Sequence, residues 1–223
     1  MSAAPAGHTA PLLVGIAGGS GSGKSSLAAA LVTTLGPGQA ARLAHDAYYR
    51  DRAALPAAAR AALDYDVPEA FDQALFLEHL GALRAGRPVR PPAYCFTTHR
   101  RTGHAEIVSP RPIVIVEGIL LLWDPAARAA LDLRIYLDAP ERVRFERRRA
   151  RDVAERGRTA ENVLAQFAAT VREAHRVYVE PTRTMADLVL GTGGRLEPIA
   201  EIAAAVILDR LARRRGERAR IAS

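Results

Sequence analysis

Apolar residues cluster in five short runs along the chain, most of them followed by residues typical of turns. The first run, LLVGIAG, begins at Leu12 and leads into a Gly/Ser cluster, and the run at 113–118 is rich in β-branched residues. Continuous apolar runs of this length are typical of strands buried on both faces of a parallel sheet. The other three predicted strands are ARLAHD at 41–46, LRIYLDAP at 133–140 and ADLVL at 186–190.

Segments with a helical spacing of apolar residues separate these runs. One of them places Phe71, Leu75 and Leu80 at helical intervals and ends at Gly86. The predicted helices are 25–35, 53–62, 69–85, 141–156, a helix that Thr159 caps and that runs to Val179, and 197–214. Strands that alternate with helices predict an α/β fold with a doubly wound, parallel five-stranded sheet.

The segment 87–112 has no helical period and is rich in proline and threonine. We interpret it as a small β-hairpin inserted into the α/β domain. A chain of 223 residues fits one domain, because domains usually contain on the order of 100–200 residues. We expect this domain to span 12–214, with a flexible N-terminal tail at 1–11 and a C-terminal tail at 215–223.

Cysteine and histidine usage restricts the chemistry. Cys95 is the only cysteine, so no intramolecular disulfide forms, which fits a reducing cytoplasm. The six histidines are scattered without the spacing of zinc ligands. The N-terminus lacks the pattern of a secretory signal, and the longest apolar stretch, 113–123, contains Glu117 and is too short to span a bilayer. We therefore expect a cytoplasmic protein without a membrane partner.

The balance of charge is strongly basic, with 31 Lys and Arg against 24 Asp and Glu and a formal net charge of +7. Such an excess suits an anionic partner, and it equally suits a solvated surface in a chain biased toward arginine. The distribution is more informative than the sum, because Lys24 is the only lysine among the basic residues.

This single lysine lies in GGSGSGKSS at 18–26, which matches the phosphate-binding pattern G-x-x-x-x-G-K-[ST]. The motif follows a predicted strand and precedes a predicted helix, where glycines let backbone N–H groups surround phosphates. Lys24 would contact the β- and γ-phosphates, and the Ser25 hydroxyl would bind Mg²⁺. The candidate nucleotide-binding residues are Gly18, Gly19, Ser20, Gly21, Ser22, Gly23, Lys24, Ser25 and Ser26.

Several classes of nucleotide-binding protein do not fit. A guanine-specific GTPase needs a further lysine in an N-K-x-D motif, and Gly118 stands where helicases and transporter ATPases carry a second acid after the strand. A small-molecule kinase needs a metal-ordering acid, a base for the acceptor hydroxyl and a cationic lid. Asp46 is a candidate base and Glu117 a candidate Mg²⁺ ligand, with Asp46 as a further metal ligand. An aspartate at position 46 could equally well cap a helix or form an ion pair with an arginine instead of acting as a base.

A candidate lid lies at 141–180, because the segment 142–158 contains eight arginines. Three of them share one helical face and two flank the candidate hinge Gly157: these are Arg144, Arg148 and Arg151, and Arg156 and Arg158. Guanidinium groups match phosphate oxygens, so a closing lid would stabilise the charge that develops during phosphoryl transfer. A solvated basic helix or a nucleic-acid-binding stripe is the alternative, and interleaved acidic residues argue against the stripe.

Seven separated motifs follow one another along most of the chain, from about Leu12 to Gly194. They are GGSGSGKSS at 18–26, HDAYYRD at 45–51, DYDVPEAFD at 64–72, AYCFTTHRR at 93–101, IVIVEGILLL at 113–122, RDVAERGR at 151–158 and ADLVL at 186–190. In this order they resemble the uridine kinase (uridine–cytidine kinase) family of P-loop nucleoside kinases. The resemblance implies a P-loop NTPase kinase fold and phosphorylation of the 5′-hydroxyl of uridine and cytidine by ATP or GTP with Mg²⁺.

The resemblance also implies roles for individual residues. Asp46 would be the catalytic base, and Lys24, Arg151 and Arg156 would act on the phosphates. The residues implied in nucleoside binding are Tyr49, Tyr65, Asp66, Tyr94, Phe96, His99, Arg148, Arg158 and Gln166. Among them, Asp66 would bind the ribose hydroxyls, while Tyr94 and His99 would read the pyrimidine edge. A homotetramer, inhibition by cytidine triphosphate and a place in pyrimidine salvage are implied as well.

Two kinds of alternative stay open. The acceptor could instead be that of a phosphoribulokinase-like or pantothenate-kinase-like enzyme. A nucleotide-dependent nucleic-acid-binding module is a different class, and it predicts salt-sensitive binding of DNA or RNA. The chain departs from the family pattern at Cys95 and at GTGGRLEP after the last predicted strand. The preference for ATP or GTP, and for uridine or cytidine, therefore stays open.

Overall fold

Seven strands form two sheets in the part of the chain that the computed structural model describes, residues 10–192 and 194–222. The strands are β1 (Leu12–Gly18), β2 (Ala40–Ala44), β3 (Pro92–Cys95), β4 (Arg100–His104), β5 (Ile113–Glu117), β6 (Leu133–Asp138) and β7 (Leu188–Gly191). The main sheet has the order β2–β5–β1–β6–β7, and every neighbouring pair in it is parallel. The predicted doubly wound α/β sheet is confirmed.

The centre of the main sheet is apolar on both faces. All residues of β1 and β5 are buried, which explains why their sequences are continuous apolar runs rather than alternating ones. One face packs with α-helices around Leu12 and Ile16, and the other face packs around Leu13 and Val116. The sheet therefore forms a rigid middle layer, and ligands of such sheets bind at the carboxyl ends of the strands.

Eight α-helices surround the sheet in the described residues. They are α1 (Lys24–Thr34), α2 (Ala57–Ala61), α3 (Gln73–Arg84), α4 (Pro125–Ala129), α5 (Glu141–Arg156), α6 (Ala160–Gln166), α7 (Arg172–Ala174) and α8 (Leu196–Ala222). Short π-helical segments, Phe167–Val171 and His175–Val179, join α6 and α7 into one helical stretch that ends where predicted. The side chain of Thr159 caps this stretch by accepting a hydrogen bond from the Asn162 amide.

Some predicted boundaries are wrong. Strand β2 ends at Ala44, so Asp46 lies in a 3₁₀ turn, His45–Tyr48, rather than on the strand. The predicted helices 53–62 and 69–85 are shorter in the structure, as α2 and α3. Helix α4 was not predicted, although Asp124 followed by a proline is a helix-start signal: its side chain accepts a hydrogen bond from the Ala127 amide at 2.7 Å.

The C-terminal helix is longer than predicted. Helix α8 continues from Leu196 to Ala222, so the helix end expected at 214 is wrong and the described part of the predicted tail is helical. Arginine, alanine and glutamate favour helix, and a single glycine, Gly216, costs only about 1 kcal/mol. Residues 1–9 of the predicted N-terminal tail lie outside the described residues. No helix in 10–192 or 194–222 combines the length and apolarity needed to cross a membrane.

The predicted hairpin is present as β3 and β4, which pair antiparallel in a sheet of their own. Arg101 on β4 ties the hairpin to the main domain: its Nε donates to the Tyr49 carbonyl at 2.9 Å and its Nη2 lies 3.1 Å from Asp72 Oδ2. These contacts hold the hairpin beside the turn that follows β2, at the carboxyl ends of the parallel strands.

Candidate active site

One pocket at the carboxyl ends of β1, β2 and β5 brings together residues from all seven motifs except the last. Its lining residues are Ser20, Lys24, Ser25, Asp46, Tyr49, Tyr65, Asp66, Tyr94, Phe96, His99, Glu117, Ile119, Arg148, Arg151, Arg156, Arg158 and Gln166. Every candidate catalytic, metal-binding and nucleoside-binding residue from the sequence is among them. Ile119 is the one lining residue that the sequence analysis did not single out.

The glycine-rich loop between β1 and α1 has the backbone geometry of an anion cradle. Gly18, Gly21 and Gly23 all have positive φ angles, of 139°, 80° and 100°. A Cβ atom at Gly21 would overlap the Arg144 carbonyl oxygen, so no larger residue fits there. Helix α1 begins without a side-chain cap, which leaves its first N–H groups available to a phosphate.

The serines of this loop occupy different environments. Ser20 lines the pocket, and its hydroxyl accepts a hydrogen bond from Arg148 Nη1 at 2.9 Å. The Ser22 hydroxyl is buried and has no hydrogen-bond partner in 10–192 or 194–222. Ser26 is exposed on α1 and does not line the pocket. The Ser22 carbonyl and the Thr192 carbonyl both accept from Arg147, which joins the loop to the end of β7.

Lys24 is buried, with its ammonium group inside the loop. Its Nζ donates to the Gly19 carbonyl at 2.9 Å. Burial lowers the pKa of Lys24 to about 8, while the carboxylates of Glu117 and Asp46 oppose this shift. The chain's single lysine therefore stays charged at neutral pH. A phosphate oxygen that replaced the Gly19 carbonyl as its acceptor would stabilise this buried charge more strongly.

Asp46 has a buried carboxylate oxygen, Oδ1, for which no described residue is a hydrogen-bond partner. Burial raises the pKa of Asp46, and Lys24, Arg156 and Arg151 act in the opposite direction. The preceding residue, His45, fixes the turn: its ring stacks on Phe71 with centroids 4.3 Å apart. A carboxylate oxygen that is buried, unpaired and rigidly placed in a pocket is suited to accept a proton from a bound hydroxyl.

Ser25 and Glu117 fit the few protein ligands that Mg²⁺ takes beside phosphate. The Ser25 hydroxyl lies 3.1 Å from both Glu117 oxygens, and Glu117 is buried. Among the described residues, no cluster of three or more His, Cys, Asp or Glu could hold a metal alone, so phosphate oxygens and water would have to complete the shell. Arg42 Nη2 also reaches Glu117 Oε1 at 2.5 Å, a contact that the sequence analysis missed.

An acid and an arginine form the far wall of the pocket. Asp66 and Arg148 are both buried, and Arg148 Nη1 lies 3.5 Å from Asp66 Oδ2. The Gln166 side-chain oxygen accepts hydrogen bonds from Arg148 Nη2 and from Arg158 Nη1. Asp66 also donates its backbone N–H to Asp64 Oδ1 at 2.9 Å, which fixes the loop that carries it. The resulting group offers both acceptors and donors to a polyhydroxylated ligand.

Aromatic rings form the side of the pocket nearest the hairpin. Tyr65 stacks on the imidazole of His99 with centroids 4.0 Å apart and an interplanar angle of 13°. The ring centroids of Tyr49 and Tyr94 are 5.1 Å apart, and the guanidinium of Arg156 lies 4.1 Å from the ring centroid of Phe96. Flat apolar faces with a few polar groups are typical of sites that bind a planar ring.

His99 is neutral at physiological pH and has a defined tautomer. Burial, followed by the charges of Arg158 and Arg156, lowers the pKa of His99 to about 4. Nε2 lies 3.2 Å from Arg158 Nη2, which can only donate, so Nε2 accepts and the proton is on Nδ1. The φ angle of 52° at His99 is unusual for a residue other than glycine and holds the ring at the hairpin tip.

The arginines of α5 do not all act in the same place. Arg148, Arg151 and Arg156 line the pocket, but Arg144 does not: it is buried against Gly19 and donates its Nε to the Ala139 carbonyl at 3.1 Å. These three arginines and Arg158, which also lines the pocket, surround the carboxylate of Asp152, a residue whose part in the site the sequence analysis missed. Its signal was an acid within the arginine-rich run, four residues from both Arg148 and Arg156.

Sequence comparison decides the family. Residues 13–196 match the model described as the Phosphoribulokinase / Uridine kinase family. The chain belongs to this family. It is 43% identical to the uridine kinase of Chloroflexus aggregans over 190 aligned residues, and the aligned region covers 85% of this chain and 90% of that protein. It is 42% identical over 201 residues to the uridine kinase of Deinococcus deserti, which covers 90% and 97%.

Structural comparison agrees on the fold. Phosphoribulokinase from Rhodobacter spheroides superposes with a TM-score of 0.59 at 16% identity, over 81% of this chain and 70% of that one. At this identity the likeness shows the fold alone, that of a P-loop kinase. The family match and the uridine kinase relatives confirm the predictions that the protein is a kinase and that it uses a nucleotide phosphate donor.

Proposed function

We propose that this kinase transfers the γ-phosphate of ATP or GTP to the 5′-hydroxyl of uridine and cytidine, giving UMP and CMP in pyrimidine salvage. The buried carboxylate oxygen of Asp46, unpartnered within the described part of the chain, carries the proposal, because it lies in one pocket with the phosphate-binding loop and with the Asp66–Arg148 pair. Relatives that are 42–43% identical over most of their length are uridine kinases, which supports this choice of acceptor.

The donor is held by the loop of residues 18–26. Its backbone N–H groups and the N-terminus of α1 surround the β- and γ-phosphates, and Lys24 exchanges its bond to the Gly19 carbonyl for one to phosphate. Ser25 and Glu117 would hold Mg²⁺, with Asp46, which lines the same pocket, as a further ligand, and the ion would offset the charge of the phosphate oxygens.

The acceptor nucleoside lies between the hairpin and α5. The Asp66 carboxylate accepts hydrogen bonds from the ribose hydroxyls, and Arg148, Arg158 and Gln166 complete the contacts around the sugar. Tyr49, Tyr65 and Phe96 pack against the flat base. Tyr94 and His99 lie at its edge, and with its proton on Nδ1 His99 donates a hydrogen bond to the Tyr94 hydroxyl at 3.3 Å. Because His99 is neutral, it adds no charge beside an uncharged pyrimidine.

The chemical step forms one bond and breaks one. The 5′-oxygen attacks the γ-phosphorus, the bond from that phosphorus to the β–γ bridging oxygen breaks, and the nucleoside diphosphate leaves. Asp46 takes the hydroxyl proton, and its raised pKa makes it a stronger base than an exposed aspartate. Arg151 and Arg156 neutralise the charge that spreads over the transferring group.

We also propose how the chain is organised. The kinase domain begins at residue 12 and includes the whole of helix α8, with 87–112 as the insertion on the nucleoside side and 141–180 as the lid. The enzyme assembles as a homotetramer and acts in the cytoplasm, as the resemblance to uridine–cytidine kinases implies.

The test is γ-phosphate transfer across a panel of acceptors. Purified protein with Mg²⁺ and γ-labelled ATP or GTP is given uridine, cytidine, pantothenate or ribulose 5-phosphate, and labelled products are separated. We expect labelled UMP and CMP, and none with Lys24→Met, which controls for contaminating kinases. Turnover of pantothenate or ribulose 5-phosphate without turnover of uridine would overturn the acceptor. Salt-sensitive DNA or RNA binding without any transfer would overturn the kinase assignment.

A further inference from the structure

The carboxylate of Asp152, on the lid helix α5, is completely buried and is surrounded by four guanidinium groups. The nitrogen–oxygen distances are 2.8 Å from Arg151 Nη2, 3.3 Å from Arg156 Nη1, 3.4 Å from Arg158 Nη1 and 3.6 Å from Arg148 Nε. A buried carboxylate is stable only when charged partners satisfy it. Asp152 does not line the pocket, yet all four of its partners do.

The two carboxylate oxygens serve different pairs of arginines. Oδ2 faces Arg148 and Arg158, which share the Gln166 side-chain oxygen. Arg148 also faces Asp66, and Arg158 faces His99. These are the residues that surround the nucleoside in the proposed function, so Oδ2 belongs to the nucleoside side of the pocket.

Oδ1 faces the other pair, Arg151 and Arg156. Arg151 makes two contacts with it, from Nε at 2.9 Å and from Nη2 at 2.8 Å. The positive charges of both arginines lower the pKa of Asp46, and the charge of Arg151 lowers the pKa of Lys24 as well. Oδ1 therefore belongs to the phosphate side, where transfer takes place.

The backbone of the same residue fixes the end of the helix. The Asp152 carbonyl accepts hydrogen bonds from the N–H of Gly157 and from that of Arg158, the latter at 3.2 Å. Gly157 has a φ angle of 63°, the left-handed geometry that ends the helix there. A movement of Arg158 is thus passed to Asp152 through both the main chain and the side chain.

We propose that Asp152 is a positioning residue that couples the two substrate sites. Contact of a nucleoside with Arg148 and Arg158 fixes the carboxylate through Oδ2, and the fixed Oδ1 then holds Arg151 and Arg156 toward the triphosphate. Because both oxygens belong to one planar carboxylate, a rotation that improves the contacts of Oδ2 with one pair of arginines changes the contacts of Oδ1 with the other pair. Each substrate therefore binds more tightly when the other is present, since such coupling is reciprocal. This inference rests on the proposed function.

The experiment measures how much uridine strengthens triphosphate binding. The Kd of a non-hydrolysable ATP analogue with Mg²⁺ is determined by calorimetry, without and with saturating uridine. We expect uridine to tighten the wild-type complex at least about fivefold, within the usual range of coupling between sites. In Asp152→Asn, which keeps the shape but removes the charge and one acceptor, the ratio should fall below about twofold. An unchanged ratio in this variant, or no coupling in the wild type, would overturn the proposal.

Two further variants separate coupling from general damage. Glu155→Gln removes an exposed negative charge from the same helix and should keep the wild-type ratio. If Asp152→Asn does not fold, Asp152→Glu tests the same link, because the longer side chain keeps the charge but moves both oxygens relative to the four guanidinium groups. We expect saturating uridine to change the Kd of the analogue by less than about twofold in this variant. A wild-type ratio in Asp152→Glu would contradict the proposal.

The outcome for Asp152 is distinguishable from that of the proposed function. If wild-type protein does not phosphorylate uridine, the proposed function fails. If it does so, and Asp152→Asn shows the wild-type ratio of affinities, only the coupling role fails.

Discussion

Gly118 and His45 pack so closely that a Cβ atom on Gly118 would lie 2.5 Å from the Cβ of His45. Gly118 follows β5, and His45 follows the neighbouring edge strand β2, so the contact closes the gap between two strand ends. His45 is next to Asp46 in the same 3₁₀ turn. The absence of a side chain at Gly118 therefore helps to set where the candidate base lies.

We expect Gly118→Ala to lower kcat for uridine at least tenfold, because the added methyl group would displace His45 and with it Asp46. Overpacking of this kind costs about 1–3 kcal/mol, which urea denaturation would show as a lower free energy of unfolding. Gly81→Ala on α3 is the matched control, since no atom that the structure describes outside the helix backbone lies within 4 Å of a Cβ there. It should leave kcat unchanged. Equal kcat in both variants would show that Gly118 does not position Asp46.

A second prediction concerns pH and Lys24. Burial lowers the pKa of this lysine to about 8, so in the free enzyme its ammonium loses a proton as the pH rises through that value. Bound phosphate favours the charged form, and the Kd of a non-hydrolysable ATP analogue should therefore increase up to about tenfold per pH unit above 8. Lys24→Met should bind weakly with no break near pH 8. A wild-type Kd that is constant from pH 7 to 9 would contradict this.

A third prediction concerns the choice of pyrimidine. His99→Ala removes the hydrogen-bond partner of Tyr94. The uridine-to-cytidine ratio of kcat/KM should then change by about 2–10-fold, which corresponds to the free energy of one hydrogen bond. The KM for ATP should stay within twofold. His104→Ala, an exposed histidine on the same hairpin, is the control and should alter neither value. Equal losses for both nucleosides would assign His99 a purely structural role.

The strands and the phosphate-binding loop were predictable because their signals are local. A buried parallel strand such as Ile113–Glu117 reads as a continuous apolar run, and glycines mark the positions of the loop that need positive φ angles. Helix ends were less predictable. Helix α8 runs past Gly216 because the penalty of one glycine is smaller than the combined preference of its neighbours for helix.

The sequence motifs identified the residues that line the pocket, but they did not predict how those side chains contact one another. The spacing of four residues allows Asp152 to pair with Arg148 and Arg156 on one helix. Nothing in the sequence indicates that Arg158, beyond the end of the helix, joins them, or that Arg42 reaches Glu117 across the edge of the sheet. Such ion pairs depend on how side chains from separate elements meet. The positive φ angle of His99 was hidden for a similar reason, since the fold of the hairpin tip imposes it.

The central claim is that Asp46 removes the proton from the nucleoside 5′-hydroxyl, and Asp46→Asn tests it most directly. Uridine affinity is measured by calorimetry, and formation of UMP from uridine and ATP is measured on the same preparation. We predict that the variant binds uridine within about threefold of the wild type while kcat falls at least about a hundredfold, the usual contribution of a general base. An unchanged kcat with intact uridine binding would contradict the account.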